Sequence, residues 1–364
     1  MWGSPMTDAS VPAPAERGKL AVWLDKLKTP EGIGVLILVA YALYGLWWLG
    51  SIDERDRFFF YEVTISGLLA GVMYSLVALG FVLIFKSSGI FNFSQGVMAL
   101  FAGMFLTGFM NEFGVPAWAA IPMTIAVMVG VAFAVEYLVL RHLVNQEPII
   151  LFMATIGLAF VLEGVGDIIW GADVKPLDVG LPIGASDFMF DYFDLYVEKL
   201  EIAAALIAGV LVIALSLFSQ YTRIGRALRA VADDHQAALS VGISLRTIWV
   251  IVWSIAGAVA LVAGIMWGSK SGIQFSLSLI ALKALPVLIL GGFTSIPGAI
   301  VGGLIIGVGE KWAEIYLGSV METLFGADPQ WFTALENWFA YVLALAFLLV
   351  RPQGLFGEKI IERV

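Results

Sequence analysis

The side chains best placed for binding chemistry are a neutral polar cluster and one acidic pair, each in apolar surroundings. Asn92, Ser94 and Gln95 can offer hydrogen-bond donors and acceptors to a carboxylate or an amide group. Glu163 and Asp167 are four residues apart, so they share one face of a helix. There they can attract the ammonium group of an amino acid, although a hydrated surface pair explains them equally well. We take these five residues as the candidate solute path.

The chain lacks the residues that most catalytic and metal centres need. It has no cysteine and two histidines, His142 and His235. This excludes thiol chemistry, iron–sulfur clusters and thiolate zinc sites, and argues against a histidine-built metal centre. It contains no Gly-x-x-x-x-Gly-Lys-[Ser/Thr] phosphate loop, and its net charge of −9 includes no basic stripe of the kind that binds nucleic acid. The sequence therefore predicts no catalytic residue, no metal and no cofactor within this chain, and no nucleic-acid partner.

The composition predicts that membrane-spanning helices position these groups. The 364 residues are 60% hydrophobic and 13% charged, with a mean hydropathy of +0.93. Soluble domains are about 45–50% apolar and about 25% charged, so this chain carries too much apolar surface for an aqueous core. We expect an all-α polytopic membrane protein with about ten transmembrane helices of about 20 residues each. The predicted spans are 32–50, 61–85, 95–111, 117–138, 149–170, 200–219, 247–268, 277–293, 298–318 and 332–350.

Basic residues indicate the orientation, because cytoplasmic loops are rich in Lys and Arg. Segment 222–246 is rich in arginine and is predicted to be cytoplasmic, whereas segment 171–198 is acidic and is predicted to be external. Basic residues before the first span and after the last place both termini in the cytoplasm, which requires an even number of spans. The predicted regions are a cytoplasmic tail (1–31), an additional helix with an outer loop (32–60), the transmembrane domain (61–350) and a second cytoplasmic tail (351–364).

Three stretches are expected to interrupt regular helix. Residues 86–96 and 269–277 are predicted to be irregular or re-entrant, which is tolerated at membrane depth only where the backbone lines protein or a water-filled cavity. Their segments Ser88–Ser94 and Ser271–Ser276 share a Ser-Gly-Ile start, a weak sign of an inverted repeat. Proline lacks a backbone donor and glycine permits unusual turns. A third stretch is therefore predicted to form a structural hinge at Gly291, Gly292, Pro297 and Gly298.

The predicted cytoplasmic segment 222–246 is longer than a connector between two spans needs to be. Its small residues would let a short helix enter a cleft of a partner, and Gly242 would permit the turn back towards the membrane. A solvated amphipathic loop helix is an equally good reading of the pattern alone. The residues predicted to couple this loop to a partner are Arg226, Arg229, Asp233, Ala237, Ala238 and Gly242.

Two further patterns concern packing between helices. Gly67 and Gly71, and likewise glycines 298/302 and 303/307, are spaced by four residues, which allows two helix backbones to approach closely. We expect this packing to be within the chain. Lys283 and Glu310 lie in adjacent spans, where pairing lowers the cost of a charge in lipid. We therefore predict that they pair with each other.

Four segments carry a resemblance to a known family. The chain resembles the high-affinity branched-chain amino acid permeases of ATP-binding-cassette (ABC) importers over residues 61–357. The similar segments are Gly67–Gln95, Glu136–Glu163, Arg223–Ile243 and Gly291–Gly307. The family's Asn-Phe-Ala-His-Gly signature stands here as Asn92-Phe93-Ser94-Gln95-Gly96, with Gln95 in place of histidine. Ala237-Ala238-x-x-x-Gly242 resembles the core of the cytoplasmic coupling loop of such importers, although Gln236 replaces the customary glutamate.

The resemblance implies a subunit of the bacterial inner membrane that works by alternating access. It would pair with a homologous second permease and receive solute from an external binding protein. The sequence leaves open whether the permease pair is identical or mixed, and the resemblance favours a heterodimer. Two cytoplasmic ATPases would bind and hydrolyse ATP, so this chain is not expected to be an enzyme. The residues leave the solute open among branched-chain amino acids, urea, short amides and small carboxylates. They also leave open a secondary transporter or channel that works alone, for which Glu163, Asp167 and Glu310 are the candidate relay groups.

Overall fold

The structure, a computed structural model, describes residues 54–143, 146–233, 235–318, 335–351 and 353–357, together with residues 322 and 326. Over these residues the chain is helical, with two isolated antiparallel bridges, Lys175–Ile273 and Ala185–Glu198. Short 3-10 helices lie at Leu140–His142 and Phe275–Leu279, and a π-helical turn lies at Ala313–Leu317. The α-helices are α1 (Glu54–Ser88), α2 (Gln95–Asn111), α3 (Ala117–Leu138), α4 (Pro148–Trp170), α5 (Asp187–Phe193), α6 (Lys199–Tyr221), α7 (Arg223–Asp233), α8 (His235–Ser240), α9 (Leu245–Ser271), α10 (Ile280–Gly291), α11 (Ile296–Trp312) and α12 (Leu335–Val350).

The helices confirm an all-α membrane fold but not the predicted number of spans. In the described part of the chain, six helices are long and apolar enough to cross a membrane, namely α1, α3, α4, α6, α9 and α11. Three predicted spans correspond to shorter apolar helices, α2, α10 and α12. Both α2 and α10 begin after an interruption of the helical backbone. Each is therefore shorter than the roughly 20 residues that a bilayer requires. The predicted span 32–50 and the tail 1–31 lie outside the described residues.

The 35-residue helix α1 is at the centre of the bundle, where it packs against α9, α10 and α11. Its closest neighbour is α11, which runs antiparallel to it. A Cβ added to Gly71 would strike the carbonyl of Gly303, and one added to Gly67 would lie 3.0 Å from the carbonyl oxygen of Gly307. The glycine pairs therefore serve packing within the chain, as the spacing predicted.

Helices α1 and α9 end in the same way, at Ser88 and Ser271. The next residue in each case is a glycine in the left-handed region, Gly89 (φ 67°) or Gly272 (φ 76°), followed by a fully buried isoleucine. Tyr74 of α1 stacks on Trp267 of α9 at a centroid distance of 5.8 Å. Further along α1, Gly80 lies against the side chain of Gln95, which donates to the carbonyl of Ala256 in the earlier part of α9. The two helices thus run antiparallel, so their matching ends lie on opposite sides of the bundle. This is the arrangement that an inverted repeat requires.

The predicted break between α10 and α11 is present. Helix α10 ends at Gly291, Gly292 has a φ of 101°, and Pro297 lies in the first turn of α11. The backbones of Gly291 and Gly298 touch, and the N–H of Leu355 donates to the carbonyl of Leu290 at 2.8 Å. The segment 353–357 therefore packs against this turn and stabilises it in the present conformation. Hinge motion at these residues stays a prediction.

Candidate solute path and coupling surface

The polar cluster Asn92, Ser94 and Gln95 occupies the break between α1 and α2, and all three side chains are 0% exposed. The Asn92 Oδ1 accepts hydrogen bonds from the hydroxyl and the backbone N–H of Ser94. The Asn92 Nδ2 donates to Gln95 Oε1 at 3.4 Å and lies equally far from the sulfur of Met98. The structure therefore brings the three predicted residues together, in a network that is closed to solvent in this conformation.

Gln95 connects α2 to two other helices. Its Nε2 donates to the carbonyl of Ala256 on α9 at 3.3 Å, and the side chain lies directly against Gly80 of α1. Gly80 is eight residues before the end of α1 at Ser88, or about 12 Å along the helix axis at 1.5 Å per residue. Helix α2 thus begins well inside the bundle rather than at its end. Buried amides of this kind fix one arrangement of helices, because each donor needs a partner.

Thr155 of α4 also contacts the segment between α1 and α2. Its hydroxyl accepts from the N–H of Phe93 at 3.0 Å and donates to the carbonyl of Phe152 at 2.8 Å. The rings of Phe91 and Phe93 each lie 6.0 Å from the ring of Phe152. Sequence reasoning missed Gly80, Thr155 and Ala256, which meet the cluster through backbone groups or a lone hydroxyl.

The acidic pair lies on the same helix as Thr155 but not in the cluster. Helix α4 buries a stripe of residues that includes Ala159, Leu162 and Gly166, and Glu163 and Asp167 flank this stripe with partial exposure. Neither carboxylate has an ion-pair partner among the described residues. Glu163 is eight residues, or about 12 Å, further along the axis than Thr155. The acidic pair is therefore about 12 Å along α4 from the point at which the polar cluster contacts this helix.

Two ion pairs join helices in the predicted outer half of the bundle. Lys283 Nζ lies 2.8 Å from Glu310 Oε1 and 3.4 Å from the hydroxyl of Tyr74, which confirms the predicted pairing. Lys270 of α9 pairs with the buried Glu201 of α6, also at 2.8 Å. The second pair was not predicted, because its members are 69 residues apart and no pattern links them. Each pairing lowers the cost of holding a charge away from water.

An open cavity of about 250 Å³ lies on the predicted external side, and sequence reasoning missed it. Its walls come from α1, from the start of α6 and the residues just before it, and from the end of α11 with the π-helical turn that follows. It contains carboxylates and one amine, and the amine of Lys311 also pairs with Glu314 at 2.7 Å. The lining residues are Phe59, Glu62, Val63, Ser66, Tyr196, Glu198, Glu201, Lys311 and Ile315. Because they come from three distant segments, no local pattern could have shown them.

The predicted coupling loop forms two helices, α7 and α8. Helix α7 packs against α6 and the end of α1, with Val231 buried and Gly225 pressed against the last carbonyls of α6. The guanidinium of Arg229 donates to the carbonyl of Ser219 at 2.6 Å, so it caps the C-terminus of α6. A cation at this end of a helix also meets the negative end of the helix dipole. Arg229 therefore joins the loop to a membrane helix, whereas Arg226 is exposed.

The turn after α8 presents apolar side chains outward. Gly242 has a φ of 85°, and its N–H donates to the carbonyl of Leu239 at 3.0 Å. Leu239 and Val241 are 52% and 74% exposed, whereas Ala238 is buried. The side chains of Asp233 and Ala237 lie outside the described residues. Leu239 and Val241, which were not predicted, are thus more exposed than Ile224 (40%), the other exposed large apolar residue in the described part of the loop.

The six membrane-length helices define a polytopic membrane protein. It holds a buried polar cluster at a helix break and an amphipathic loop on the predicted cytoplasmic side. Residues 63–351 match the family described as "Branched-chain amino acid transport system / permease component". The chain belongs to this family.

Individual relatives support the assignment. The chain is 25% identical to the high-affinity branched-chain amino acid transport system permease protein LivH of Escherichia coli K12, over 84% of this chain and 98% of LivH. It is 27% identical to the corresponding protein BraD of Pseudomonas aeruginosa, over 85% of this chain and 99% of BraD. The ribose import permease protein RbsC of Escherichia coli K12 is 25% identical, over 78% of this chain and 84% of RbsC.

Proposed function

We propose that this chain is the translocation subunit of an ABC importer that moves a small polar solute into the cytoplasm. The observation that carries the proposal is the extent of the family match. Residues 63–351 include the buried cluster, the acidic pair and the whole coupling loop. All the residues proposed for the solute path and for the coupling loop therefore lie in the matched region.

The proposed solute is a branched-chain amino acid or a related small polar molecule such as urea, an amide or a small carboxylate. LivH and BraD are named for branched-chain amino acids, whereas RbsC is named for ribose. The neutral donors and acceptors of Asn92, Ser94 and Gln95 suit any of the smaller solutes. The carboxylates of Glu163 and Asp167, which have no ion-pair partner among the described residues, favour a solute that carries an ammonium group.

Alternating access would require the buried cluster to open to each side in turn. The bond from Gln95 to Ala256 and the bond from Phe93 to Thr155 hold α2 against α9 and α4. In the proposed cycle, ATP binding moves the partner ATPases, and Leu239 and Val241 transmit this motion to α7 and α8. Arg229 then carries it to α6 through the carbonyl of Ser219.

The proposed assembly contains a second homologous permease, two cytoplasmic ATPases and an external binding protein. ATP would bind on the ATPases. In this proposal the chain resides in the inner membrane, with both termini in the cytoplasm. The ion pair between Lys283 and Glu310 weakens the alternative of a lone secondary transporter, because it occupies one of the three candidate relay carboxylates.

The proposal is tested by purifying the tagged chain in mild detergent from its native membrane and reconstituting the preparation in liposomes. We expect two ATPase subunits and a second hydrophobic subunit to co-purify. When the external binding protein is supplied on the face opposite the ATPases, uptake of labelled leucine should require ATP and stop when ATP is replaced by a non-hydrolysable analogue. Labelled urea, benzoate and ribose define the solute range in the same vesicles. Uptake by the chain alone, driven by a proton gradient without ATP, would overturn the proposal.

A further inference from the structure

Segment 184–199 of the predicted external region forms a hairpin with a short helix, α5, at its tip. Its two arms are joined at the base, where the N–H of Ser186 donates to the carbonyl of Val197 and the N–H of Lys199 donates to that of Gly184, both at 2.8 Å. Leu195 and Val197 are buried beneath the tip. These two bonds thus close the base of the hairpin.

The tip keeps its shape although no residue of α5 is buried. The hydroxyl of Ser186 accepts from the N–H of Met189 at 3.4 Å and so caps the start of the helix. Asp194 adopts the left-handed conformation that often ends a helix, and its N–H donates to the carbonyl of Phe190 at 3.0 Å. The carboxylate of Asp187 accepts from Lys199 at 2.7 Å, and this bond lowers the pKa of Asp187. The hairpin is therefore an ordered element rather than a loose connection.

The same tip exposes aromatic rings that contribute nothing to the core. Five rings between residues 188 and 196 are each between 51% and 75% exposed: Phe188, Phe190, Tyr192, Phe193 and Tyr196. The centroid of Phe188 lies 5.0 Å from that of Tyr192 and 6.0 Å from that of Phe193. Such clusters of rigid aromatic side chains are characteristic of interaction sites, where they serve as anchors.

The charges of the hairpin indicate what kind of partner it fits. It carries four carboxylates, on Asp187, Asp191, Asp194 and Glu198, against the single amine of Lys199. Anionic lipid headgroups would repel such a tip, since membrane binding by surface segments relies on Lys and Arg. A protein face that offers Lys or Arg beside an apolar depression would attract it, because these cations pair with carboxylates and also stack on aromatic rings.

The position of the hairpin also favours a protein partner. Tyr196 and Glu198, at its base, also line the open cavity of about 250 Å³ on the predicted external side. A protein docked on the tip would lie beside this opening, where it could release a solute. We propose that hairpin 184–199 is the docking surface for the external solute-binding protein, whose contact face carries basic side chains around an apolar depression. This inference rests on the proposed function.

The first test places a photo-crosslinking amino acid at Tyr192 in the complete transporter in intact cells. Phe133 of α3, which is also exposed but lies in a membrane-length helix, serves as the control position. We expect Tyr192 to crosslink to one soluble external protein and Phe133 to crosslink only to lipid or to membrane proteins. Crosslinks from Tyr192 to lipid alone would assign the tip to the membrane surface, and the absence of any crosslink would likewise overturn the proposal.

The second test measures how strongly that external protein binds the detergent-purified transporter. Tyr192→Ala and Asp191→Lys should each weaken binding about ten-fold or more, as expected for anchor residues. Asp173→Lys makes the same charge change outside the hairpin and should alter binding less than two-fold. All three residues are exposed, so the unfolding temperature of each variant should match that of the wild type. Equal binding by all three variants would refute the docking role.

A third readout separates this inference from the proposed function. In the hairpin variants the ATPase subunits should still co-purify, and the basal hydrolysis of ATP should be unchanged. Stimulation of hydrolysis by the external protein should be lost. If the ATPases fail to co-purify even with the wild-type chain, the proposed function is wrong; if they co-purify but the variants bind normally, only the docking surface is wrong.

Discussion

The side chain of Gln95 lies directly on the backbone of Gly80, and from there its amide reaches the carbonyl of Ala256 at 3.3 Å. Three helices thus meet at one glutamine, and the absence of a side chain at position 80 makes room for it. A Cβ at this position would collide with the amide of Gln95. The contact links a residue of the family signature region to the packing of the bundle.

We predict that Gly80→Ala displaces Gln95 and lowers the free energy of unfolding by about 1–3 kcal/mol, the usual cost of overpacking. The measurement is the unfolding temperature of the purified protein in detergent. Gly130→Ala on α3 is the matched control, because the space around Gly130 is open. It should leave stability unchanged or raise it by up to about 1 kcal/mol.

The double variant Gly80→Ala/Gln95→Ala tests whether the collision is the cause. Removal of the long amide gives the new methyl group room, so the loss should be smaller than the sum of the two single losses. Strictly additive losses would show that Gly80 and Gln95 do not interact.

The site residues that sequence could predict are those whose side chains are unusual in their surroundings. Asn92, Ser94 and Gln95 were visible as polar groups in an apolar stretch, and the structure places them together with 0% exposure. Their partners were not visible, because Ala256 contributes only a backbone carbonyl and Gly80 only the lack of a side chain. Such groups carry no signal in a single sequence.

The sequence likewise predicted one ion pair but not the other, and it did not show where two of the helices begin. The pairing of Lys283 with Glu310 followed from the antiparallel order of adjacent spans, whereas Lys270 and Glu201 belong to helices separated by a long loop. The predicted number of spans is not confirmed in the described part of the chain, because hydropathy shows only where apolar residues lie. It does not show that Gln95–Asn111 and Ile280–Gly291 begin partway through the bundle after a break.

Removal of one member of the buried ion pair should be more harmful than removal of both. Glu310→Ala deletes the partner that lies 2.8 Å from Lys283 and is predicted to lower the free energy of unfolding by about 2–3 kcal/mol. We place the loss at or below the low end of the range for buried pairs because the side chain of Lys283 is 30% exposed. Thermal unfolding in detergent gives the value.

The double variant Lys283→Met/Glu310→Leu should recover most of this loss, since it leaves no uncompensated charge in the bundle. Lys311→Met, at a partly exposed pair with Glu314, should cost under about 1 kcal/mol and serves as the reference. If Glu310→Ala is no more harmful than Lys311→Met, the pair contributes little to stability.

The acidic pair on α4 should affect the uptake of solutes that carry an ammonium group. Glu163→Gln and Asp167→Asn keep the shape of each side chain but remove the charge. We expect the apparent KM for leucine to rise about two- to five-fold in each variant, the effect of losing a partly solvated charge interaction of up to about 1 kcal/mol. Initial rates of uptake into proteoliposomes provide the measurement.

Asp173→Asn is the matched control, because Asp173 is an exposed acid in the predicted external segment that follows α4. Its KM should equal that of the wild type. Unchanged KM values for both α4 variants would remove Glu163 and Asp167 from the solute path and leave them as a hydrated pair.

The turn at Gly242 provides the sharpest test of the coupling loop. Gly242 has a φ of 85° and open space around it, so any loss from Gly242→Val comes from the backbone rather than from a collision. The strain is on the order of 1–2 kcal/mol and should shift the turn that presents Leu239 and Val241. We expect the variant to reach the membrane in normal amount but to lose both uptake and association with the ATPase subunits.

Gly180→Val is the matched control, since Gly180 has a φ of 80°, is equally open and lies in the predicted external segment. It imposes the same kind of strain without touching the loop, so association with the ATPases should persist. Membrane content is followed by immunoblotting, association by co-purification and transport by leucine uptake. Normal association in Gly242→Val, or an equal loss in Gly180→Val, would show that the turn at Gly242 is not the point at which the ATPases act.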